Sequence, residues 1–234
     1  MDKTKHSITD EELNNFVYAV SHDLRAPLRQ INDFMTLFMQ GMDEELSDEK
    51  KMYKDILLEC VKDADKIITT LTEYNHIKAQ PESIQSAPAS QLYNQAIAAL
   101  SEKIQERRAQ VAFDGDDISV HAYTDLIIIA LMHLIDNATK FHYQDSTPKV
   151  SVKARKDRDY ILFHVQDNGI GLSPDKAEHA TTILRQLHSK GQYEGHGFGL
   201  AAAKKIAAIH NGTLEIVTPA DGGTEVVLKI QQIS

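Results

Sequence analysis

His22 and Asp23 stand next to each other near the start of the chain, an imidazole beside a carboxylate. An imidazole can be a nucleophile or proton acceptor near neutral pH, and an adjacent carboxylate can take and orient its ring proton. Around this pair Leu13, Phe16, Val17, Val20, Leu24, Leu28, Ile31, Met35 and Phe38 recur in steps of three and four, the period of an amphipathic helix. His22 lies two residues from Val20 and from Leu24, roughly 200° around such a helix from each, so it faces away from the apolar seam. Pro27 removes the amide that would bond to the Asp23 carbonyl. A helix that accepts this cost beside an outward His-Asp pair points to a functional kink. A lone outward histidine without those neighbours is simply a surface residue.

Two glycine-rich runs come later. Val165-Gln166-Asp167-Asn168-Gly169-Ile170-Gly171 closes an apolar strand pattern, and Gly195-His196-Gly197-Phe198-Gly199-Leu200 opens a helical one. Glycine turns let a backbone approach phosphates closely, and a helix N-terminus offers free amides and a positive dipole end. The second run lacks the βαβ setting and glycine spacing of a dinucleotide fingerprint. Between the strand signals lies Leu131-Met132-His133-Leu134-Ile135-Asp136-Asn137-Ala138-Thr139-Lys140-Phe141. On a helix His133 and Asn137 share a face, with Lys140 a turn further on. An amide oxygen is a hard ligand suited to magnesium, and a lysine suits phosphate. Taken alone, an Asn-Lys pair on a helix is a solvated face.

The elements that must position these groups follow from pattern. The first helix ends at Gly41. A second runs through Met52, Ile56, Cys60, Ala64, Ile67, Leu71 and Tyr74 after an N-cap at Ser47, and Pro81 stops it. Two long helices with a short connection form an antiparallel hairpin, whose seam is buried either by dimerising into a four-helix bundle or by packing on the rest of the chain. Pro81 and Pro88 mark a boundary, so residues 1–80 and 81–234 are read as two domains. Beyond it the pattern predicts a helix over 92–107, strands over 110–113 and 118–122, a buried helix over 125–141, a hairpin of 150–154 with 160–166, a helix over 200–210, and a last hairpin of 213–217 with 224–230 around Asp221-Gly222-Gly223. Strand and helix runs segregate, which predicts an α+β sandwich with helices over one sheet face.

Composition narrows the function. The 234 residues carry 25 basic and 34 acidic side chains, a net charge of −9, which disfavours a non-specific nucleic-acid binder. Cys60 is the single cysteine, so neither an intrachain disulfide nor a cysteine-rich zinc site is available. No apolar run reaches the ~18 residues of a membrane span, and the polar N-terminus lacks a signal-peptide core. A cytoplasmic location with no membrane segment in this chain is the expectation.

In this order the pieces resemble the catalytic core of two-component sensor histidine kinases, from about Phe16 to Ile230. Ser21 to Leu28 is similar to their H box, Asn137-Ala138-Thr139-Lys140-Phe141 to the end of the N box, Asp167 to Gly171 to the G1 box, and Gly195 to Leu200 to the G2 box. Leu187-His188-Ser189 is most similar to the phytochrome-type branch. The resemblance implies a homodimeric helical hairpin that presents His22, followed by a Bergerat-type α/β sandwich that binds ATP and Mg2+. It implies that His22 attacks the γ-phosphate with Asp23 as base and orienter, and that Asp167 accepts from the adenine amino group. Gly169 and Gly171 then let base and lid approach, Asn137 ligates magnesium, Lys140 neutralises phosphate charge, and Gly197, Gly199 and Leu200 wrap the phosphates. A response regulator receiver domain is the implied acceptor, and the sensor is a missing segment or a separate protein.

Some positions depart from that pattern. His133 stands where the N box usually begins with Asn, and imidazole is a softer ligand than an amide oxygen. Ala26 stands where kinases that also dephosphorylate their regulator carry Thr or Asn, so weak phosphatase activity is expected. His196 replaces a small hydroxyl residue, and Thr181 and Leu184 occupy the place of the aromatic F box. These departures keep open a non-catalytic phosphotransfer or scaffold protein of the same fold. A stand-alone ATPase of the gyrase type leaves the His22-Asp23 helix without a use.

Overall fold

A computed structural model describes residues 24–36, 48–77, 83–143, 145–172, 177, 180–181, 198–220 and 222–233, with backbone alone at 48–50. The chain divides into two compact units, Met1–His76 and Ile77–Ser234.

In the first unit, residues 24–36 are helical (α1), Pro27 included, and Asp48–His76 forms helix α2. Arg25 Nη2 donates to Thr72 Oγ1 at 3.4 Å, which ties the described start of α1 to the last turns of α2. Leu24, Ile31, Phe34, Met52, Ile56, Leu57 and Ile67 are exposed in the single chain, an unusual amount of large apolar surface for two helices. The Ser47 cap and the end of the first helix at Gly41 lie outside the described residues.

The second unit is α+β. Its strands are β1 (Gln85–Pro88), β2 (Gln110–Phe113), β3 (Ser119–Ala122), β4 (Lys149–Asp157), β5 (Tyr160–Asp167), β6 (Thr213–Val217) and β7 (Glu225–Gln231). Its helices are α3 (Ala89–Ala99), α4 (Ser101–Glu106), α5 (Thr124–Lys140) and α6 (Gly199–Ile209). Five strands form one sheet in the order β2-β4-β5-β7-β6, and β1 pairs with β3 apart from it. The sheet is mixed: β2 runs parallel to β4, and the other pairs are antiparallel.

Alternation sets its inner face. Val150, Val152 and Ala154 on β4, Ile161, Phe163 and Val165 on β5, and Val226, Leu228 and Ile230 on β7 are buried at every second position. Helix α5 meets them with Leu126, Ile127, Ala130, Leu131, Leu134, Ile135 and Ala138, the spacing of one helical stripe. Its first turn carries Asp125 and its last Lys140, each favourable to the helix dipole. Helix α6 packs beside it through Ala202, Ala203, Ile206 and Ala207, small residues that allow close approach. His210 caps the inner layer: Nδ1 lies 2.8 Å from the Ile206 carbonyl, and Nε2 accepts from the Tyr123 amide at 3.3 Å. Burial holds its pKa below the ordinary value, against the bond to Ile206.

Three features differ from the pattern reading. The helix expected over 92–107 is two, because Leu100 at φ −101°, ψ 6° leaves helical geometry while its side chain stays in the core. Strand β1 was not anticipated; its four residues include a proline and owe their form to pairing with β3. The parallel pairing of β2 was also not visible, since nothing in a local run encodes its neighbour's direction.

Candidate functional site

The C-terminal end of β5 and the C-terminal end of α5 are stitched together at Phe141. Its carbonyl oxygen accepts from the Ile170 amide at 3.1 Å, in the turn that follows β5. Gly169 passes so close that a Cβ there would lie 2.0 Å from the same oxygen. Gly171 follows at φ +74°, a left-handed backbone suited to glycine.

Asp167 closes β5 and turns its carboxylate into this corner. Oδ1 accepts from the Gly169 amide at 2.8 Å and the Thr224 amide at 3.0 Å, while the Asp167 amide donates to the Thr224 carbonyl at 2.9 Å. The antiparallel pairing of β5 with β7 brings Thr224 there. Gly223 lies so near that a Cβ would meet the Asp167 carbonyl oxygen at 2.0 Å. Burial pushes the Asp167 carboxyl up to about 6, against the two amide bonds that favour its charge. Oδ2 takes neither of these amides.

At the other side of the corner, α5 presents Asn137 and Lys140, both half-buried. Lys140 Nζ reaches Asn137 Oδ1 at 3.5 Å and sits 4.2 Å from the centre of the Phe141 ring. Helix α6 begins against Asn137: a Cβ on Gly199 would lie 2.9 Å from its Nδ2 and 3.4 Å from His133 Cβ. Leu200 follows within the first turn of α6. The amide oxygen is thus on the lysine side and the amide nitrogen faces the α6 N-terminus. A hard oxygen beside a cation, at a helix start with free amides, fits a magnesium ion carried by phosphates. Among the described residues no group of three or more His, Cys, Asp or Glu side chains forms a metal site.

His133 packs edge-on against the Phe198 ring, 4.9 Å between centres, and so helps seat the start of α6. Burial pulls its pKa down to about 4; the Asp136 charge opposes, and Lys103 and Lys140 add to the lowering. It is a neutral packing group here. Asp136, inside the same run, is a structural anchor: Arg107 Nη1 at 2.9 Å and Lys103 Nζ at 3.2 Å hold it. Burial would raise its pKa, but these two cations outweigh burial and lower it.

The neutral His133 gives a pH signature. Its folded pKa lies below the unfolded value of 6.5, so its contribution to stability is complete above pH 6.5 and is lost as pH falls towards 4. Asp167 has the opposite sign: its contribution is complete below its ordinary 3.8 and is lost as pH rises through about 6. Urea unfolding of wild type and His133→Asn, compared at pH 7 and pH 4.5, is expected to shift by about 2 kcal/mol in the variant's favour at the lower pH. A difference that does not change with pH would show that His133 is not held neutral.

The structure therefore brings Asn137, Lys140 and Gly199 to one wall of the corner, and Asp167, Gly169 and Gly171 to another, joined through Phe141. His22, Asp23 and Gly197 lie outside the described residues, as do His196, Leu184 and Leu187 to Ser189. Thr181 is described, and its hydroxyl accepts from Lys204 Nζ at 3.2 Å. Sequence reasoning missed the role of Gly223, which it read as a hairpin turn residue, and of Thr224, which it read as the first residue of the last strand. The matching apolar alternation of 160–166 and 224–230 was the available signal, since pairing those runs puts Thr224 at Asp167.

Among the described residues no helix is long and apolar enough to cross a membrane. Residues 123–233 match the family described as histidine kinase-, DNA gyrase B-, and HSP90-like ATPase. Over 217 residues, 92% of its length, the chain is 30% identical to the phytochrome-like protein Cph1 of Synechocystis, and over 206 residues, 88%, it is 29% identical to cyanobacterial phytochrome A of Nostoc. It spans 29% and 27% of those two relatives. Among solved structures, full-length ShkA in complex with AMPPNP shares the fold at a TM-score of 0.66 and 19% identity, covering 94% of this chain and 46% of that one. Residues 123–233 thus match the histidine kinase-, DNA gyrase B-, and HSP90-like ATPase family, and the chain as a whole is similar to phytochrome-like proteins and to histidine kinases.

Proposed function

We propose that this chain is an ATP-dependent protein-histidine kinase core that phosphorylates its own His22 and passes the phosphoryl group to an aspartate on a response regulator receiver domain. The carrying observation is the corner at Phe141: half-buried Asp167 is held through Oδ1 by Gly169 and Thr224, Ile170 of the same turn donates to the Phe141 carbonyl at the end of α5, and Asn137 and Lys140 precede Phe141 on that helix, against the start of α6. Asp167 Oδ2 accepts from the adenine amino group. Lys140 and the amides that open α6 meet the phosphates. Asn137 would hold Mg2+, which would supply charge neutralisation across the phosphates. His22, its ring proton taken by Asp23, attacks the γ-phosphorus through a ring nitrogen and ADP leaves.

In this reading residues 1–80 form a dimerising phosphoacceptor hairpin and residues 81–234 the ATP-binding domain, acting in the cytoplasm. The exposed apolar side chains of α1 and α2 support a homodimer, since a second copy would cover them in a four-helix bundle. A sensor domain, in a longer chain or a separate protein, supplies the signal.

The test is incubation with γ-labelled ATP and magnesium. Acid-labile, base-stable label on the protein is the expected result. Bound nucleotide without label would favour the scaffold reading, and phosphate release without protein label the free-standing ATPase.

The adenine contact has its own test. Asp167→Asn keeps an acceptor for the Gly169 and Thr224 amides but sets an NH2 group where Oδ2 stood, donor against donor. Nucleotide affinity by calorimetry is expected to fall about 30-fold or more, ~2 kcal/mol. The unliganded domain should melt no lower than wild type, because a buried carboxylate has been removed. Unchanged affinity would remove Asp167 from the adenine site.

A further inference from the structure

Asn137 and Lys140 stand in the last turn of α5, the part of a helix whose carbonyls run out of intrahelical partners. That turn carries two neighbouring rows. Asn137 and Lys140, three apart, form one, with Gly199 of α6 against it. Asp136 and Thr139, also three apart, form the next, about 100° around the helix. Arg107, at the end of α4, reaches this second row with a single nitrogen. Its Nη1 donates to the Asp136 carbonyl at 3.1 Å, to Asp136 Oδ1 at 2.9 Å and to Thr139 Oγ1 at 2.8 Å. The buried Thr139 hydroxyl in turn donates to the Asp136 carbonyl at 3.1 Å.

The backbone that carries Arg107 is fixed as well. Helix α4 ends in a reversal in which the Arg108 amide donates to the Gln105 carbonyl at 3.0 Å and the Ala109 amide to the Ile104 carbonyl at 2.9 Å. This pair of bonds needs a left-handed residue between them. Arg108 supplies it at φ +52°, where glycine is the unstrained choice. An ion pair that served only to tie α4 to α5 would need the Asp136 carboxylate alone. Lys103 makes such a contact, to Oδ1 at 3.2 Å from a side chain 54% exposed. Two of the three Arg107 contacts go instead to a main-chain carbonyl and a buried hydroxyl of the turn that bears Asn137 and Lys140. A cation bonded to a carbonyl near a helix C-terminus holds that turn against fraying.

We propose that Arg107 is a positioning residue for the metal and phosphate side of the nucleotide site: by clamping Asp136 and Thr139 it sets the rotation of the last turn of α5, and with it where the Asn137 amide and the Lys140 ammonium stand. This rests on the nucleotide reading above and adds to it a residue that touches neither nucleotide nor metal. The adenine side is held by other means, since Asp167, Gly169 and Thr224 are bonded to one another across β5 and β7. Loss of the clamp therefore weakens the binding of phosphates and magnesium and spares that of the base. Groups that orient a metal ligand from behind commonly matter about 10- to 100-fold in affinity.

The experiment measures two affinities of the full chain, for adenosine by NMR titration and for AMPPNP with magnesium by calorimetry. Their ratio reads what the phosphates and the metal add. In Arg107→Gln the affinity for AMPPNP with magnesium is expected to fall about tenfold or more, with adenosine unchanged within about twofold. A merely structural anchor would lower the melting temperature and leave the ratio where it was. Thr139→Val, which deletes the bridging hydroxyl, should lower the ratio in the same direction, and Thr139→Ser, which keeps it, should retain the wild-type ratio. An unchanged ratio in Arg107→Gln, or equal loss of both affinities, would overturn the proposal. Should Arg107→Gln fail to fold, the Thr139 pair decides, and equal ratios for valine and serine would overturn it. Wild type that binds adenosine but gains nothing from phosphates and magnesium would overturn the nucleotide reading itself, and the role of Arg107 with it.

Discussion

Replacing His22 by alanine is expected to abolish protein-bound label from γ-labelled ATP, a fall of about 10³-fold or more, with nucleotide affinity unchanged within about twofold. The size follows from chemistry. A nucleophile that forms the covalent product has no substitute on the same protein, whereas most positioning groups cost only part of the rate. Nucleotide affinity should survive because the proposed contacts to adenine and phosphate, Asp167, Asn137 and Lys140, all belong to the second unit. Asn137→Ala should lose label as well, for a different reason: the metal ligand is gone while the acceptor remains. Mixing the two variants distinguishes the geometry of transfer. Label regained in the mixture means that one protomer phosphorylates its partner, and label absent means transfer within a protomer. Label persisting in His22→Ala alone would mean that the acceptor is another residue.

Gly169→Ala is expected to cost the second unit about 3 kcal/mol or more, on the order of 10 °C in melting temperature. The added Cβ would lie 2.0 Å from the Phe141 carbonyl oxygen and 2.9 Å from Asp167 Oδ1. Both are fixed partners: the first accepts from Ile170 and the second from Gly169 itself. Neither can move without breaking the seam between α5 and β5, so the strain spreads into backbone rather than into a soft side chain. Gly222→Ala supplies the comparison. Gly222 sits at φ +94° with nothing within 4 Å of a Cβ, so only backbone preference is lost, about 1 kcal/mol. Thermal unfolding of the two variants should therefore separate clearly. Equal melting temperatures would show that the close approach at Phe141 is not a constraint on the fold.

Much of the second unit was legible because its signals are local. The α5 stripe from Leu126 to Ala138 repeats at helical spacing, and β5 alternates strictly from Ile161 to Val165, so period alone distinguishes helix from strand. Strand β1 was not legible, because four residues ending in proline carry no period and take strand form only through β3. Leu100 was missed for a related reason: its apolar side chain continues the helical pattern of its neighbours, while its backbone turns to start α4.

The candidate site divides in the same way. The residue types that can do the chemistry, an Asp in a glycine turn, an Asn and a Lys one turn apart on a helix, a His beside an Asp, are properties of the sequence, because chemical capacity belongs to the side chain and short spacing to the local element. Which groups meet is a property of the tertiary structure. Thr224 reaches Asp167 from 57 residues away, because β7 pairs with β5. Phe198 reaches His133 because α6 packs on α5, and burial at this position holds the imidazole neutral. Burial and pairing depend on what lies across the core, and no window of sequence contains its own partner.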